Sequence, residues 1–482
     1  MLDFRPLLFV IGILLIILAL TMSLPALAEL AAEQPDWRVF ATASATTLFV
    51  GVGLVLAFRR PNFSISVQQT FVLTTASWVV LTAFASLPFR FSGLDLSYAD
   101  AYFEAMSGLT TTGSTVISGL DDAPPGILLW RALLQWLGGI GIVVMAVAIL
   151  PILRIGGMQL FRTESSDQSA KALPRAAQVA GGIGLAYMLL TLLWALLLWL
   201  AGLDRFDAIC HAMTTIATGG YSTVDGSIGQ FANPHVDVII TVGMILGSLP
   251  FVLYVAALRG NFRDLLRDSQ VRWFLGIAGS MVVLMTMWTF FRLEMPPLTA
   301  LRLSAFNTIS VMTGTGYSAS DYSQWGSLAL TVMFFLMFVG GCTGGTTGGI
   351  KIFRFQVLLT TTRIQITQML RPHGVVSAQY NGKPITEAVT GAVLGFYFLF
   401  FAAFAVVALG LALHGHDFLT SISGAATAVA NVGPGLGEVI GPSGNFSSLS
   451  DSAKWLLAAA MLLGRLELFT VLVLFLPSFW RR

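Results

Sequence analysis

Charge is what this 482-residue chain has least of: 10% of its residues are Asp, Glu, Lys or Arg, against about 25% in an ordinary soluble protein. No polar stretch is long enough to build a separate soluble domain, so any cytosolic catalytic engine belongs to another polypeptide. Cysteine is almost missing too. Cys210 and Cys342 are the two in the chain; they lie far apart in apolar segments, which excludes a disulfide framework and a cysteine metal site. The five histidines, among them His211, His235 and His373, form neither a catalytic triad nor a metal-ligand spacing. His211 reads as a structural residue, because a proton relay needs a partner chain. An enzyme is therefore not expected, nor an organic cofactor, nor nucleic acid as a partner.

What remains is apolar. Hydrophobic residues make up 56% of the chain, and runs approaching the roughly 20 residues that a bilayer span needs recur along its length. They fall at 7–20, 71–87, 127–150, 183–200, 236–258, 273–291, 328–339, 388–413 and 455–475. The first stretch, with Arg5 before it and Ala26-Leu27-Ala28 after it, has the outline of a signal peptide. Its long apolar run and single positive charge, offset by Asp3, make it the first transmembrane helix of a many-span protein instead.

Four short segments share a pattern, each small or hydroxyl residues leading to a glycine. They are Thr110-Thr111-Thr112-Gly113-Ser114, Ala217-Thr218-Gly219-Gly220-Tyr221, Thr313-Gly314-Thr315-Gly316-Tyr317 and Ala430-Asn431-Val432-Gly433-Pro434. Gly113, Gly220, Gly316 and Gly433 are 107, 96 and 117 residues apart, an internal fourfold repeat. A half-length helix precedes each: Asp100 to Met106, Asp207 to Met213, Leu301 to Ser310 and Leu419 to Thr427. The first two share Asp-Ala-x-x-x-Ala-Met. The expected fold is an all-α polytopic membrane protein with four M1–P-loop–M2 repeats around a central pore, plus two extra N-terminal transmembrane helices. The predicted units are 1–60, 61–160, 161–262, 263–372 and 373–482.

Polar backbone at membrane depth persists only where protein buries it or where it lines a cavity. Four helix C-termini aimed at one point, each worth about half a negative charge, favour a cation there. Ringed backbone carbonyls can replace the hydration shell of such an ion. The candidate ion-binding residues are Thr111, Thr112, Gly113, Thr218, Gly219, Gly220, Gly314, Thr315, Gly316, Asn431, Val432 and Gly433, with hydroxyl oxygens from Thr111 and Thr112 as possible extra ligands.

Orientation follows from the basic residues. Arg59 and Arg60, then Arg154, Arg162, Lys171 and Arg175, then Arg259, Arg263, Arg267 and Arg272, then Lys351, Arg354, Arg363, Arg371 and Lys383, with Arg5, Arg481 and Arg482, place 18 of the 26 on one side. That side is the cytoplasm, with both termini, and the basic loops there are a candidate docking surface. The opposite side carries Asp95, Asp100, Glu104, Asp121, Asp122, Asp204, Asp207, Asp225, Asp321, Asp417 and Glu438, either an acidic vestibule or ordinary loop charge. An anion pore is disfavoured in both cases.

The inner span of the third repeat runs into Gly340-Gly341-Cys342-Thr343-Gly344-Gly345-Thr346-Thr347-Gly348-Gly349. At about 1 kcal/mol per glycine, such a run does not hold a helix; helical character is expected again at Ile350. Ile350-Lys351 follows where a phosphate-binding loop needs Lys-Ser/Thr, so nucleotide binding there is excluded. Gly344, Gly345, Thr346, Thr347, Gly348 and Gly349 are either a packing device or a gate. Arg465, in mid-span, is the residue expected to hold that gate by bonding its carbonyls, because a charge at that depth faces a cavity or a partner. Glu467, two residues on, is expected to project elsewhere on the helix.

Gly108 to Gly113, Gln135-Trp136-Leu137-Gly138-Gly139-Ile140-Gly141, Gly156-Gly157-Met158-Gln159-Leu160-Phe161, Gly340 to Lys351, Asn431 to Gly437 and Gly464-Arg465-Leu466-Glu467 together resemble the membrane subunit of the bacterial Trk potassium-uptake system, in the Trk/Ktr/HKT superfamily of cation transporters. The resemblance covers the whole chain, and the two extra N-terminal spans are those of the Trk branch. It implies K+ as the transported ion and a homodimer in the bacterial cell inner membrane, each protomer with its own pore. It also implies a cytosolic nucleotide-binding regulatory subunit. A serine at the first filter position goes with sodium permeation in this family; Gly113 there implies potassium. The alternative is a proton- or sodium-coupled secondary cation transporter with a midplane site, for which Glu467 is the main carboxylate.

Overall fold

The computed structural model describes residues 3–59, 65–148, 156–157, 172–371, 378–381 and 383–481. The predicted unit boundaries at 60/61, 160/161 and 372/373 lie outside them. So do Arg60, Arg154, Met158 to Lys171, His373 and Arg482, and the side chains of Arg175 and Lys383.

Among the described residues the chain is helical apart from one two-residue antiparallel pairing, Gln379–Tyr380 with Lys383–Pro384. Seven helices among the described residues are long and apolar enough to cross a membrane, or up to nine if each of two bent pairs is one span. Arg5–Ala31 and Trp37–Phe58 pack on each other at the N-terminus. The Glu29 carboxylate accepts from the Gly126 N–H at 2.6 Å, so the first helix is fastened to the body of the protein.

Four similar units follow. Each has an outer helix: Val67–Phe91, Ala172–Leu200, Ser269–Leu293 and Glu387–Leu413. Each outer helix leads into a half-helix: Tyr98–Leu109, Arg205–Ile216, Pro297–Thr313 and Phe418–Ala430. These run longer than the sequence suggested because their starts are fixed by capping. Ser97, Asp204 and Asp417 accept from backbone N–H groups of the first turn, and the third half-helix opens on Pro296-Pro297, both devices that set a helix N-terminus. The half-helices are buried over their C-terminal halves, polar residues included, whereas the outer helices expose large apolar side chains. Exposed apolar surface on this scale suits lipid, and the buried polar core suits a lined path.

The inner helices differ from one another. The first, Pro125–Ala148, is unbroken, and it is 67% buried over its most apolar window against 22% for Trp37–Phe58. The second, read from sequence as one span, is two pieces, Pro234–Gly247 and Phe251–Leu258, bent by 95°. Pro250 lacks the N–H that would continue the ladder, and the Leu246 carbonyl accepts instead from the Leu249 N–H at 3.2 Å and the Tyr254 hydroxyl at 2.7 Å. The third breaks where its glycines predicted, between Ser327–Leu336 and Ile352–Leu370. Helix resumes at Ile352 rather than Ile350, because Gly349 and Lys351 both have left-handed φ, 72° and 74°. The fourth, also read as continuous, is Asp451–Arg465 and Phe469–Phe475, bent by 107°. The inner helices sit between neighbouring half-helices: the first touches half-helices one and two, the second two and three, the fourth four and one.

Candidate functional site: a four-loop constriction and the segment beneath it

Every half-helix ends in the same way. The N–H of Thr112 bonds the Ser107 carbonyl at 2.8 Å, Gly219 bonds Thr214 at 2.8 Å, Thr315 bonds Ser310 at 2.9 Å and Val432 bonds Thr427 at 3.0 Å. This six-to-one closure ends a helix by passing through a left-handed residue. That residue is Thr111, Thr218, Gly314 or Asn431, with φ of 52°, 49°, 70° and 56°. Two residues later φ is positive again, at Gly113 (89°), Gly220 (79°), Gly316 (86°) and Gly433 (114°). Only at the second position is the residue glycine in all four loops, and packing gives the reason. A Cβ on Gly113 would lie 2.3 Å from the Gly219 oxygen, on Gly220 1.8 Å from Thr315 O, on Gly316 2.2 Å from Val432 O, and on Gly433 2.9 Å from Thr112 O. Each glycine thus abuts the carbonyl that precedes the equivalent glycine of the next loop. The order one, two, three, four returns to one, so the loops close a ring. Loop two, with two adjacent glycines, enters it through Gly220.

The ring is cross-braced. The Ser114 hydroxyl donates to Gly433 O at 2.6 Å, and Asn431 Nδ2 donates to Thr112 Oγ1 and Met461 O, both at 2.9 Å. Thr112 Oγ1 also meets Thr110 Oγ1 at 2.7 Å. It is therefore committed to the scaffold, while Thr111 Oγ1 is buried with no hydrogen-bond partner among the described residues. Behind the loops, Arg131 Nε pairs with Glu104 at 2.9 Å, its Nη1 donates to Ser222 O at 2.6 Å, and its guanidinium lies 4.1 Å from the Tyr221 ring centroid. Glu104 also accepts from Thr115 Oγ1 and the Val116 N–H. A cleft opens onto the ring, lined by Gly113, Gly220, Gly316, Pro434, Asp225 and Arg131 among others.

Most acids assigned to that side have structural partners. Asp204, Asp321 and Asp417 cap helices, Asp225 accepts from Gly119 and Leu120, and Asp100 pairs with Lys454 at 2.6 Å. His211 is likewise held, by Asp207 O at 2.8 Å and Ser222 Oγ at 3.0 Å.

The glycine-rich segment lies against the underside of the loops. Thr346 Oγ1 meets Thr218 Oγ1 at 3.0 Å and donates to Ile216 O at 3.1 Å. Gly348 faces the end of half-helix four so closely that a Cβ would be 2.3 Å from Ala430 O. Gly344 and Gly345 rest on the bend of the second inner helix, where Phe251 N donates to Gly344 O at 2.9 Å, and Thr347 Oγ1 accepts from Gly341 N at 3.1 Å within the segment.

Arg465 does not tie this segment down as expected. It is 3% exposed, and none of its three guanidinium nitrogens has a hydrogen-bond partner among the described residues. The tie is Glu467, which takes Lys351 Nζ at 2.8 Å on one oxygen and Arg354 Nη2 on the other. Lys351 and Arg354, assigned from sequence to a cytoplasmic loop, are instead buried. Arg354 also donates to Gly156 O at 3.0 Å and Ile350 O at 2.9 Å. Sequence reasoning missed Glu467 because it assumed helical geometry through Gly464-Arg465-Leu466-Glu467. The helix ends at Arg465, and Glu467 and Leu468 are left-handed, with φ of 63° and 47°. No local signal could have found the pairing, because Glu467 lies 116 residues from Lys351 in the chain.

An all-helical membrane protein whose buried centre is a ring of backbone carbonyls belongs to the class that passes small solutes through a bilayer. Residues 37–482 match the family model TrkH, described as a cation transport protein, and the chain belongs to that family. It is 47% identical over 479 residues to the Trk system potassium uptake protein TrkI of Halomonas elongata, covering 99% of this chain and 97% of the relative. It is 37% identical over 484 residues to the Trk system potassium uptake protein TrkH of Salmonella typhimurium, covering 99% and 100%. The crystal structure of the potassium transporter TrkH from Vibrio parahaemolyticus superposes with a TM-score of 0.92 at 34% identity over the full length of both chains. The protein is a transporter rather than an enzyme.

Proposed function

We propose that this chain takes up potassium across a bacterial inner membrane, through the ring formed at Gly113, Gly220, Gly316 and Gly433. One observation carries the reading: each of these glycines abuts the preceding carbonyl of the next loop, in cyclic order. Four half-helix C-termini point their partial negative charge at that ring, and K+ exchanges its water for the carbonyls of Thr112, Gly219, Thr315 and Val432 and of the glycines. The side chains of Thr111 and Thr218, and the backbone of Gly314 and Asn431, line the inner mouth.

The segment Gly344 to Gly349 is the gate. It blocks the path below the ring, anchored through Lys351 and Arg354 to Glu467, while Arg465, with no hydrogen-bond partner among the described residues, adds a positive barrier to a dehydrated cation. The units 61–160, 161–262, 263–372 and 373–482 are the four pore repeats, and 1–60 is an accessory pair of helices. Both termini lie in the cytoplasm, the protein is a homodimer, and a cytosolic nucleotide-binding subunit docks on the basic loops. The coupled-transporter reading needs a carboxylate free to titrate; Glu467 is engaged by two cations, which weighs against it.

The test is growth rescue of a bacterium without potassium uptake on micromolar-to-millimolar potassium, with tracer flux measured alongside. Rescue with K+ accumulation is expected. Robust expression in the membrane without rescue, with or without the regulatory subunit, would overturn the proposal.

A further inference from the structure

The ring is not chemically fourfold, and loop two is the odd member. Loops one and three brace themselves with hydroxyl pairs, Thr110 with Thr112 and Thr313 with Thr315, each at 2.7 Å. Loop four is braced by the Asn431 side chain. Where the others carry Thr112, Thr315 or Val432, loop two has Gly219. Its φ is not left-handed, so no torsion requires glycine there. Space does: a Cβ would lie 2.4 Å from both Cδ and Oε1 of Gln135.

Gln135 belongs to the first inner helix and is fully buried. Its Nε2 donates to Gly219 O at 2.6 Å, and its Oε1 accepts from Tyr221 N at 3.0 Å. The orientation of the amide follows, since one partner is a pure acceptor and the other a pure donor. One side-chain amide thus bridges the backbone on both sides of Gly220, as a neighbouring peptide group would. The oxygen it holds is the one that abuts Gly113, a member of the ring. One helical turn earlier, Arg131 holds Ser222 O at 2.6 Å, so a single helix face fixes loop two at residues 219, 221 and 222.

We infer that Gln135 is a specificity-determining positioning residue, setting the place of one ring oxygen and so the cation preference of the constriction. The inference rests on the four loops being the filter. A carbonyl accepts one hydrogen bond on one lone pair and keeps the other for an ion. Without Nε2–H, Gly219 O is free to close on a smaller cation. One lost hydrogen bond of ordinary net strength corresponds to roughly a 3- to 10-fold change in preference, in the direction of Na+.

Purified protein in liposomes, with K+ and Na+ tracer fluxes normalised to correctly folded protein, tests this. Gln135→Glu keeps the shape but cannot donate when ionised, and Gln135→Met keeps the length but has neither group. Both should raise the Na+/K+ flux ratio by about 3- to 10-fold. Gly219→Val alone should abolish K+ flux, and Gln135→Ala with Gly219→Val should recover it, because loop two then has the residue of loop four and room for it. That suppression holds its meaning even if Gln135→Glu fails to fold. Equal loss of both fluxes with an unchanged ratio, or a recovered double variant that keeps the wild-type Na+/K+ ratio, would reduce Gln135 to a packing residue. Gly113→Ser is the control. If it raises Na+ permeation while the Gln135 variants do not, only this inference falls; if it too leaves the ratio unchanged, the filter assignment falls with it.

Discussion

The closeness of the four loops makes a graded prediction. Replacing a ring glycine by alanine does two separable things. It places an L-residue at positive φ, which costs about 1–2 kcal/mol, and it drives a Cβ into the next loop's carbonyl. The second effect scales with the space available: 1.8 Å at Gly220, 2.2 Å at Gly316, 2.3 Å at Gly113 and 2.9 Å at Gly433. Ordinary carbon–oxygen contact begins beyond 3 Å, so at Gly220 the Thr315 oxygen must retreat by more than about 1 Å, enough to break coordination to an ion. At Gly433 a shift of a few tenths of an ångström suffices. Gly119 is the internal control, because its φ is 75° but nothing lies within 4 Å of its would-be Cβ. The expected order of K+ flux loss is Gly220→Ala, Gly316→Ala, Gly113→Ala, then Gly433→Ala. The first should lose about 100-fold or more, the equivalent of about 2.8 kcal/mol or more, and Gly119→Ala should stay near wild type. Tracer flux in liposomes, normalised to monodisperse protein, reads it. If Gly220→Ala behaves like Gly119→Ala, left-handed strain alone explains the glycines, and the reasoning from carbonyl overlap is wrong.

Arg465→Ala should raise basal K+ flux about 5-fold or more without the regulatory subunit, since even a quarter of a near-surface charge interaction of about 4 kcal/mol is about 1 kcal/mol; flux at or below wild type in folded protein would remove Arg465 from the barrier. Glu467→Gln leaves Lys351 and Arg354 buried without their anion, and should cost about 3–5 kcal/mol of stability and loosen the gate, read together by thermal unfolding and flux. An unchanged melting temperature would contradict the assignment of Glu467 as the anchor. Neutralising Arg259, Arg263, Arg267 and Arg272 should weaken co-purification with a nucleotide-binding partner; intact co-purification would count against that face as the docking surface.

The parts of this architecture that sequence revealed are those written locally. Glycine in a polar break between apolar runs can be read without knowing what it faces, and the same holds for the run Gly340 to Gly349, which cannot be helical. Repetition made the weak signals cumulative, and the cyclic packing of Gly113, Gly220, Gly316 and Gly433 matches their spacing. What the sequence hid depends on partners distant in the chain. Glu467 meets Lys351 across 116 residues, and nothing near either one announces it. Arg465 looked like a hydrogen-bond donor to carbonyls because burial normally demands partners, yet its nitrogens have none among the described residues. The bends at Ser248 to Pro250 and at Leu466 to Leu468 were lost inside runs apolar enough to be continuous spans. Gln135 was visible only as part of a motif; its role needed the 2.4 Å gap at Gly219.

The central claim is an ion site at the ring, and anomalous diffraction from crystals soaked in Rb+ or Tl+ addresses it most directly. The account predicts a peak on the axis, surrounded by the carbonyl oxygens of Thr112, Gly219, Thr315 and Val432, that disappears in Gly220→Ala. A peak at Glu467 with none in the ring would contradict it.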